Sequence, residues 1–118
     1  MFDRTKLDNK YHDYTIVHAM YCSGDVWGGN VTRPYTDPNG KLVQQRGMLN
    51  TLATINWVMD QQAKGYLAST LSSLVVMGCS AGSIGAQLWG NYIIGSLKWK
   101  NSAGTLDTRK DMKYSTYI

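Results

Sequence analysis

The chain has 118 residues, a formal net charge of +4, and 43% hydrophobic against 17% charged residues. That length allows one domain at most, and that composition argues against a disordered chain. No run approaches the ~18 apolar residues of a membrane-spanning helix, residues 1–10 lack the apolar stretch of a secretory signal, and Cys22 and Cys79 are too few for a disulfide scaffold and too isolated for a zinc site.

Residues 1–13 are polar and turn-like. Tyr14 to Tyr21 is rich in β-branched and aromatic residues with little alternation, the pattern of a strand buried on both faces. Cys22-Ser23-Gly24-Asp25 ends it, and Gly28-Gly29-Asn30 extends the loop. Val31 to Thr36 and Lys41 to Gln44 flank Asp37-Pro38-Asn39-Gly40, whose Pro and Gly suit a type I turn with a glycine bulge. This predicts a small surface hairpin, confined to an edge by Pro34. Residues 45–64 carry Met48, Leu52, Ile55 and Met59 on one helical face, widened by Leu49 and Val58. Gly65, after Lys64, is a natural helix stop.

Leu71 to Met77 reads as a second buried strand and Gly78 to Gly82 as a tight turn. Residues 82–97 carry Ile84, Leu88 and Tyr92 at helical spacing. Strands alternating with helices imply an α/β chain with parallel strands and a right-handed crossover helix. Residues 98–118 lack an apolar run and read as an irregular tail. Its basic residues, Lys98, Lys100, Arg109, Lys110 and Lys113, read as solvated charge rather than a nucleic-acid site, since no recognition motif accompanies them.

The chemistry concentrates at Gly78-Cys79-Ser80-Ala81-Gly82, a G-x-S-x-G pentapeptide. By itself the pattern is weak, with a chance match on the order of one in ten in so glycine-rich a chain. The strand before it and the small-residue helix start after it supply the required strand–turn–helix context. Ser80 would sit strained at the apex with its hydroxyl projecting, and glycine at 78 and 82 would relieve crowding. The Ala81 amide, at the positive end of the following helix, would face a developing oxyanion. Gly78, Gly82 and Gly85 are wrongly spaced for a dinucleotide fingerprint, and no Walker sequence is present, so no cofactor is expected.

Met20-Tyr21-Cys22-Ser23-Gly24-Asp25-Val26-Trp27-Gly28-Gly29, with the later Gly78-Cys79-Ser80-Ala81-Gly82-Ser83-Ile84-Gly85, resembles the pectin acetylesterase/Notum family of serine carboxylesterases. The resemblance spans about residues 14–97 and implies a partial α/β-hydrolase fold. It implies Ser80 as nucleophile, Ala81 as one oxyanion-hole amide, and Ser23, Asp25 and Trp27 on the pocket rim. It implies an ester substrate, either an acetylated polysaccharide or an acylated protein, and an extracellular setting. In that family a glycine-rich aromatic segment precedes the Tyr-Cys strand, and the catalytic Asp and His follow the elbow. This chain has no such segment before residue 14 and no histidine after Ser80. The expectation is therefore a central fragment of a larger hydrolase domain, poorly stable alone.

His18 would lie inside the first strand, over ~10 Å along it from the elbow, and His12 before it, so neither is expected to be the base. Asp25 suits a turn or cap role better than chemistry. Asp107 and Asp111 follow the elbow in a polar tail. Trp27 either lines the acyl pocket or packs on the rim. The family's strand order would hold Cys22 and Cys79 too far apart to bridge, and Cys79 would be a small buried residue under the elbow. The alternative to an esterase is a non-catalytic α/β module that binds an anion or a partner at the helix N-terminus.

Overall fold

In the computed structural model, residues 3–100 and the short strand 115–117 are described. The polar start forms a series of turns, with Asn9, His12 and Tyr14 amides bonding to carbonyls three residues earlier. Residues 14–22 then run without regular structure. The strand expected at 14–21 is not formed. Its composition suits a sheet, but a strand exists only through a ladder partner, and no described residue pairs with this one. Its side chains stay accessible, Met20 at 79%.

The hairpin is present. Strand β1, Val31–Thr36, pairs antiparallel with β2, Leu42–Gln45. The Gly40 amide closes the turn on Asp37 O at 3.0 Å, and the Asp37 amide meets Lys41 O at 2.7 Å. Gly40 has φ 75°, the left-handed geometry that a glycine bulge requires. The register slips between Thr32 and Thr36, where Pro34 has no amide to offer.

Helix α1 spans Gly47–Ala63. It ends as the sequence predicts: Gly65, at φ 78°, and Tyr66 return their amides to Gln62 O and Gln61 O, the paired bonds of a Schellman stop. Lys64 reaches Asp60 at 2.6 Å. The buried face is Gly47, Thr51 and Ile55, not the expected Met48–Leu52–Ile55–Met59 stripe, of which only Ile55 is buried.

The second expected strand is shorter and later than Leu71 to Met77. Leu71 makes a single parallel bridge to Trp99, and regular pairing begins with β3, Met77–Cys79. Its partner is β4, Ser115–Tyr117, in parallel. The region expected to be an irregular tail thus supplies both a strand and Trp99, which is buried; Asp107, Arg109, Lys110, Asp111 and Lys113 lie outside the described residues. Helix α2, Ala81–Ser96, follows β3 after one residue. It buries Gly85, Gly90 and Ile94, while the expected apolar stripe, Ile84, Leu88 and Tyr92, faces outward.

The described residues therefore form a small mixed α/β structure with two helices, one antiparallel hairpin and one short parallel pair. Among them the buried apolar core is small: Ile55, Ile94, Leu97 and Trp99. The radius of gyration is 16.3 Å, against about 13.5 Å for a compact domain of this length. Among the described residues no helix is long and apolar enough to cross a membrane.

Candidate active site

Ser80 is the single residue between β3 and α2, and its backbone is the most unusual in that region. Its φ is 53° and its ψ −122°, a combination that only glycine enters freely and that strains any side-chain-bearing residue. The strain has a geometric source. The chain must reverse from a strand into a helix with no linker, and the first helical turn folds back over the strand end. A Cβ on Gly78 would fall on the Gly82 carbonyl and the Ser83 amide. Glycine at 78 is thus demanded by contact. Glycine at 82 is not: a Cβ there meets nothing within 4 Å. The expected crowding at both motif glycines holds for only one.

The start of α2 leaves donors open beside Ser80. Ser80 O accepts the Ser83 amide at 2.9 Å, the Ser83 hydroxyl at 2.7 Å and the Ile84 amide at 3.4 Å. The amides of Ala81 and Gly82, next to the apex, have no acceptor among the described residues. They sit at the positive end of the helix dipole. The Ser80 hydroxyl makes no cap bond and the residue is exposed. Cys79 is exposed rather than buried beneath the turn, and Cys22 is also exposed and unbridged.

A broad open cleft of about 1720 Å³ runs past this turn. Met77 to Gly82 form part of its wall, and Tyr21, Trp27, Gly85, Trp89 and residues 15–19 line it as well. His18 lines it too, on an exposed stretch of chain. Trp27 and Ser80 line the same cleft. Ser23 and Asp25 are not among the described residues that line it. Ser23 bonds Asp25, whose carboxylate is turned toward the start of α1.

Asp25 is an anchor. One carboxylate oxygen accepts the Ser23 hydroxyl at 2.6 Å and the Trp27 amide at 3.2 Å; the other accepts the Gly47 amide at 2.6 Å. Helix α1 has no acidic residue in its first turn and no cap bond from Arg46. Asp25 supplies that missing anion from a distant loop. Partial burial pushes the Asp25 carboxyl up, but the bonds from Ser23, Gly47 and Trp27 outweigh it and hold the group below its ordinary value. A Cβ on Gly29 or Gly47 would strike this carboxylate, so both positions must be bare.

Trp27 is held by contacts to Tyr21, Gly85 and Trp89. Its φ is 65°, and Val26 before it has φ 55°. Tyr21 stacks on its ring with centroids 5.0 Å apart, and the Tyr21 hydroxyl accepts the Val26 amide at 2.7 Å. Its carbonyl accepts Trp89 Nε1 at 2.9 Å. Its ring lies flat on Gly85, where a Cβ would collide with it. Sequence reasoning missed the roles of Gly29, Gly47, Gly85 and Trp89. Each depends on a partner remote in sequence, and a lone glycine carries no sign of what approaches it.

Among the described residues no group of three His, Cys, Asp or Glu side chains could hold a metal ion. No family model, no curated protein and no solved structure matches the chain.

Proposed function

We propose that Ser80 is the nucleophile of a carboxylic ester hydrolase and that this α/β structure is part of an α/β-hydrolase fold. The observation that carries the reading is the backbone of Ser80, at φ 53° and ψ −122° between a strand and a helix. Strain of that kind persists only where surrounding structure enforces it, and it concentrates at reacting residues. Here the strained residue is exposed and its hydroxyl makes no cap bond, as the nucleophile of an elbow requires. The open Ala81 amide and the α2 dipole support the same reading, as does the resemblance of both motifs to the pectin acetylesterase/Notum family.

In this reading Ser80 Oγ attacks the ester carbonyl carbon, forming the C–O bond as the carbonyl π pair moves to oxygen. The Ala81 amide donates to that oxyanion. Collapse expels the alkoxide, which takes a proton and leaves an acyl-serine; water then releases the acid. Turnover needs a general base to receive the Ser80 proton and pass it to the leaving group. The resemblance puts that base after the elbow, where this chain has no histidine. The proposal for the chain is therefore nucleophile and oxyanion donor, without assigning a base. The acyl group is an acetyl on a polysaccharide or an acyl chain on a protein.

The test is intact-mass and peptide-level detection of a fluorophosphonate adduct on the wild type and on Ser80→Ala. The expected result is one adduct, on Ser80, formed ahead of any other serine and lost in the variant. Labelling spread without preference over the exposed serines would overturn the reading. An unlabelled chain that binds inorganic phosphate at the Ala81 and Gly82 amides would favour the non-catalytic alternative.

A further inference from the structure

A chain of contacts leads from the start of α1 to the turn at Ser80, and one carboxylate holds its far end. Asp25 accepts the Gly47 amide at 2.6 Å and the Trp27 amide at 3.2 Å, and so ties the first residue of α1 to the loop that carries Trp27. The Met48 amide meets Gly29 O at 3.0 Å and seats the same loop a second time. The loop is under tension of its own. Gly24, Val26 and Trp27 all have positive φ, at 62°, 55° and 65°, and a residue as bulky as Trp is rarely held so.

Two links then pass from Trp27 to α2. The indole lies on the bare backbone of Gly85, and the Trp27 carbonyl accepts Trp89 Nε1 at 2.9 Å. Gly85 is one turn beyond Ser80 and Trp89 one turn further. The elbow helix is therefore gripped on one side, close to its start, by a residue whose own backbone Asp25 holds.

We propose that Asp25 is a positioning residue for Ser80. It acts through Trp27 on α2 and so sets where the Ala81 amide stands relative to the Ser80 hydroxyl. This rests on the reading of Ser80 as nucleophile. Asp25 itself lies outside the cleft and touches no reacting atom. Its carboxylate is irreplaceable in shape as well as charge, because Gly29 and Gly47 close over it and leave no room for Glu. Asn keeps the size but presents an amide donor to one of three donors.

The test compares four forms of the chain: wild type, Asp25→Asn, a variant with both links cut (Trp27→Ala with Trp89→Phe), and all three changes together. Two readouts are followed. The first is fluorophosphonate labelling of Ser80, resolved into the maximal rate constant and the half-saturating concentration. Asp25→Asn is expected to lower the maximal rate constant about 10-fold or more, as small misplacements do, with half-saturation changed by less than about two-fold, since the cleft wall is intact. In the link-cut background the same change is expected to have no further effect on labelling, although it still destabilises α1. A purely structural role for Asp25 predicts the same fall in both backgrounds, and that result overturns the proposal.

The second readout is the amide chemical shifts of Ala81 and Gly85. They are expected to move with Asp25→Asn in the wild type but not in the link-cut background. Because this needs no chemistry, a Ser80 that never labels sinks the nucleophile reading while the relay from Asp25 is still judged, and unmoved shifts sink the relay alone. Should Asp25→Asn fail to fold, Ser23→Ala removes one donor from the same carboxylate and is expected to shift the same two amides to a smaller degree. Should the link-cut form fail, Trp89→Phe alone removes the Nε1 bond to the Trp27 carbonyl and takes its place, with Asp25→Asn then expected to move the two amides less than it does in the wild type.

Discussion

Replacing Ser80 by glycine should make this chain more stable, and by an amount the backbone predicts. At φ 53° and ψ −122° a residue with a Cβ carries strain of about 1–3 kcal/mol. Glycine removes it, but glycine's larger unfolded-state freedom takes back roughly 0.5–1 kcal/mol. Nothing else of size changes: the Ser80 side chain is exposed and makes no cap bond. Ser80→Gly should therefore gain about 1 kcal/mol, within a range of ~0–2.5, whereas Ser80→Ala keeps the strain and should stay within ~0.5 kcal/mol of wild type. Urea unfolding followed by far-ultraviolet circular dichroism reads both. At a slope of about 2 kcal/mol per molar, mid-range for small proteins, a gain of about 1 kcal/mol raises the midpoint by roughly 0.5 M. A glycine variant no more stable than the alanine variant would mean that the turn holds no strain, and the argument that surrounding structure forces Ser80 into place would fall with it.

Three further outcomes are expected. Gly78→Ala puts a Cβ onto the Gly82 carbonyl and should cost about 3 kcal/mol or more, while Gly82→Ala, with open space around its Cβ, should be neutral or gain up to ~1 kcal/mol as a better helix former; paired urea titrations check both. Because the Asp25 carboxyl is held below its ordinary value of 3.8, the stability it lends is full above that value and is lost as pH falls through the lowered one. The gap between wild type and Asp25→Asn should thus be widest near neutral pH and narrow below about pH 4, measured as unfolding midpoints from pH 7 to pH 3. Gly65→Ala forces a Cβ into φ 78° and should cost about 1 kcal/mol, seen as a lower melting temperature with little change in Ser80 labelling.

The features legible in the sequence are those fixed over a few residues. Asp37-Pro38-Asn39-Gly40 specifies its own turn, and Lys64-Gly65 its own helix stop. The strained turn at Ser80 is announced by two glycines and the run of small residues after it. What stayed hidden needs a distant partner. Tyr14 to Tyr21 has strand composition yet joins no ladder among the described residues. The helix stripes Met48–Met59 and Ile84–Tyr92 have the right period, but what is buried depends on what lies opposite, and the small core takes Gly47, Thr51 and Ile55 from one helix and Gly85, Gly90 and Ile94 from the other. Asp25 shows the same limit at the level of one side chain. A turn or cap role is readable from its neighbours, but the helix it caps, which begins 22 residues away, is not.

That long-range cap also bears on the order in which the chain assembles. Bringing Asp25 to Gly47 closes a loop of 22 residues, and such closure grows more unfavourable with loop length. The hairpin lies inside that loop. Once Val31 has paired with Gln45, only residues 26–30 and 46 remain slack between the two ends. Shortening the free path in this way lowers the entropic barrier to seating Asp25 by about 1 kcal/mol. The hairpin, which among the described residues touches no other strand or helix, is therefore a clasp. By zipping early, on the microsecond scale typical of such turns, it delivers the anion to the helix that needs it.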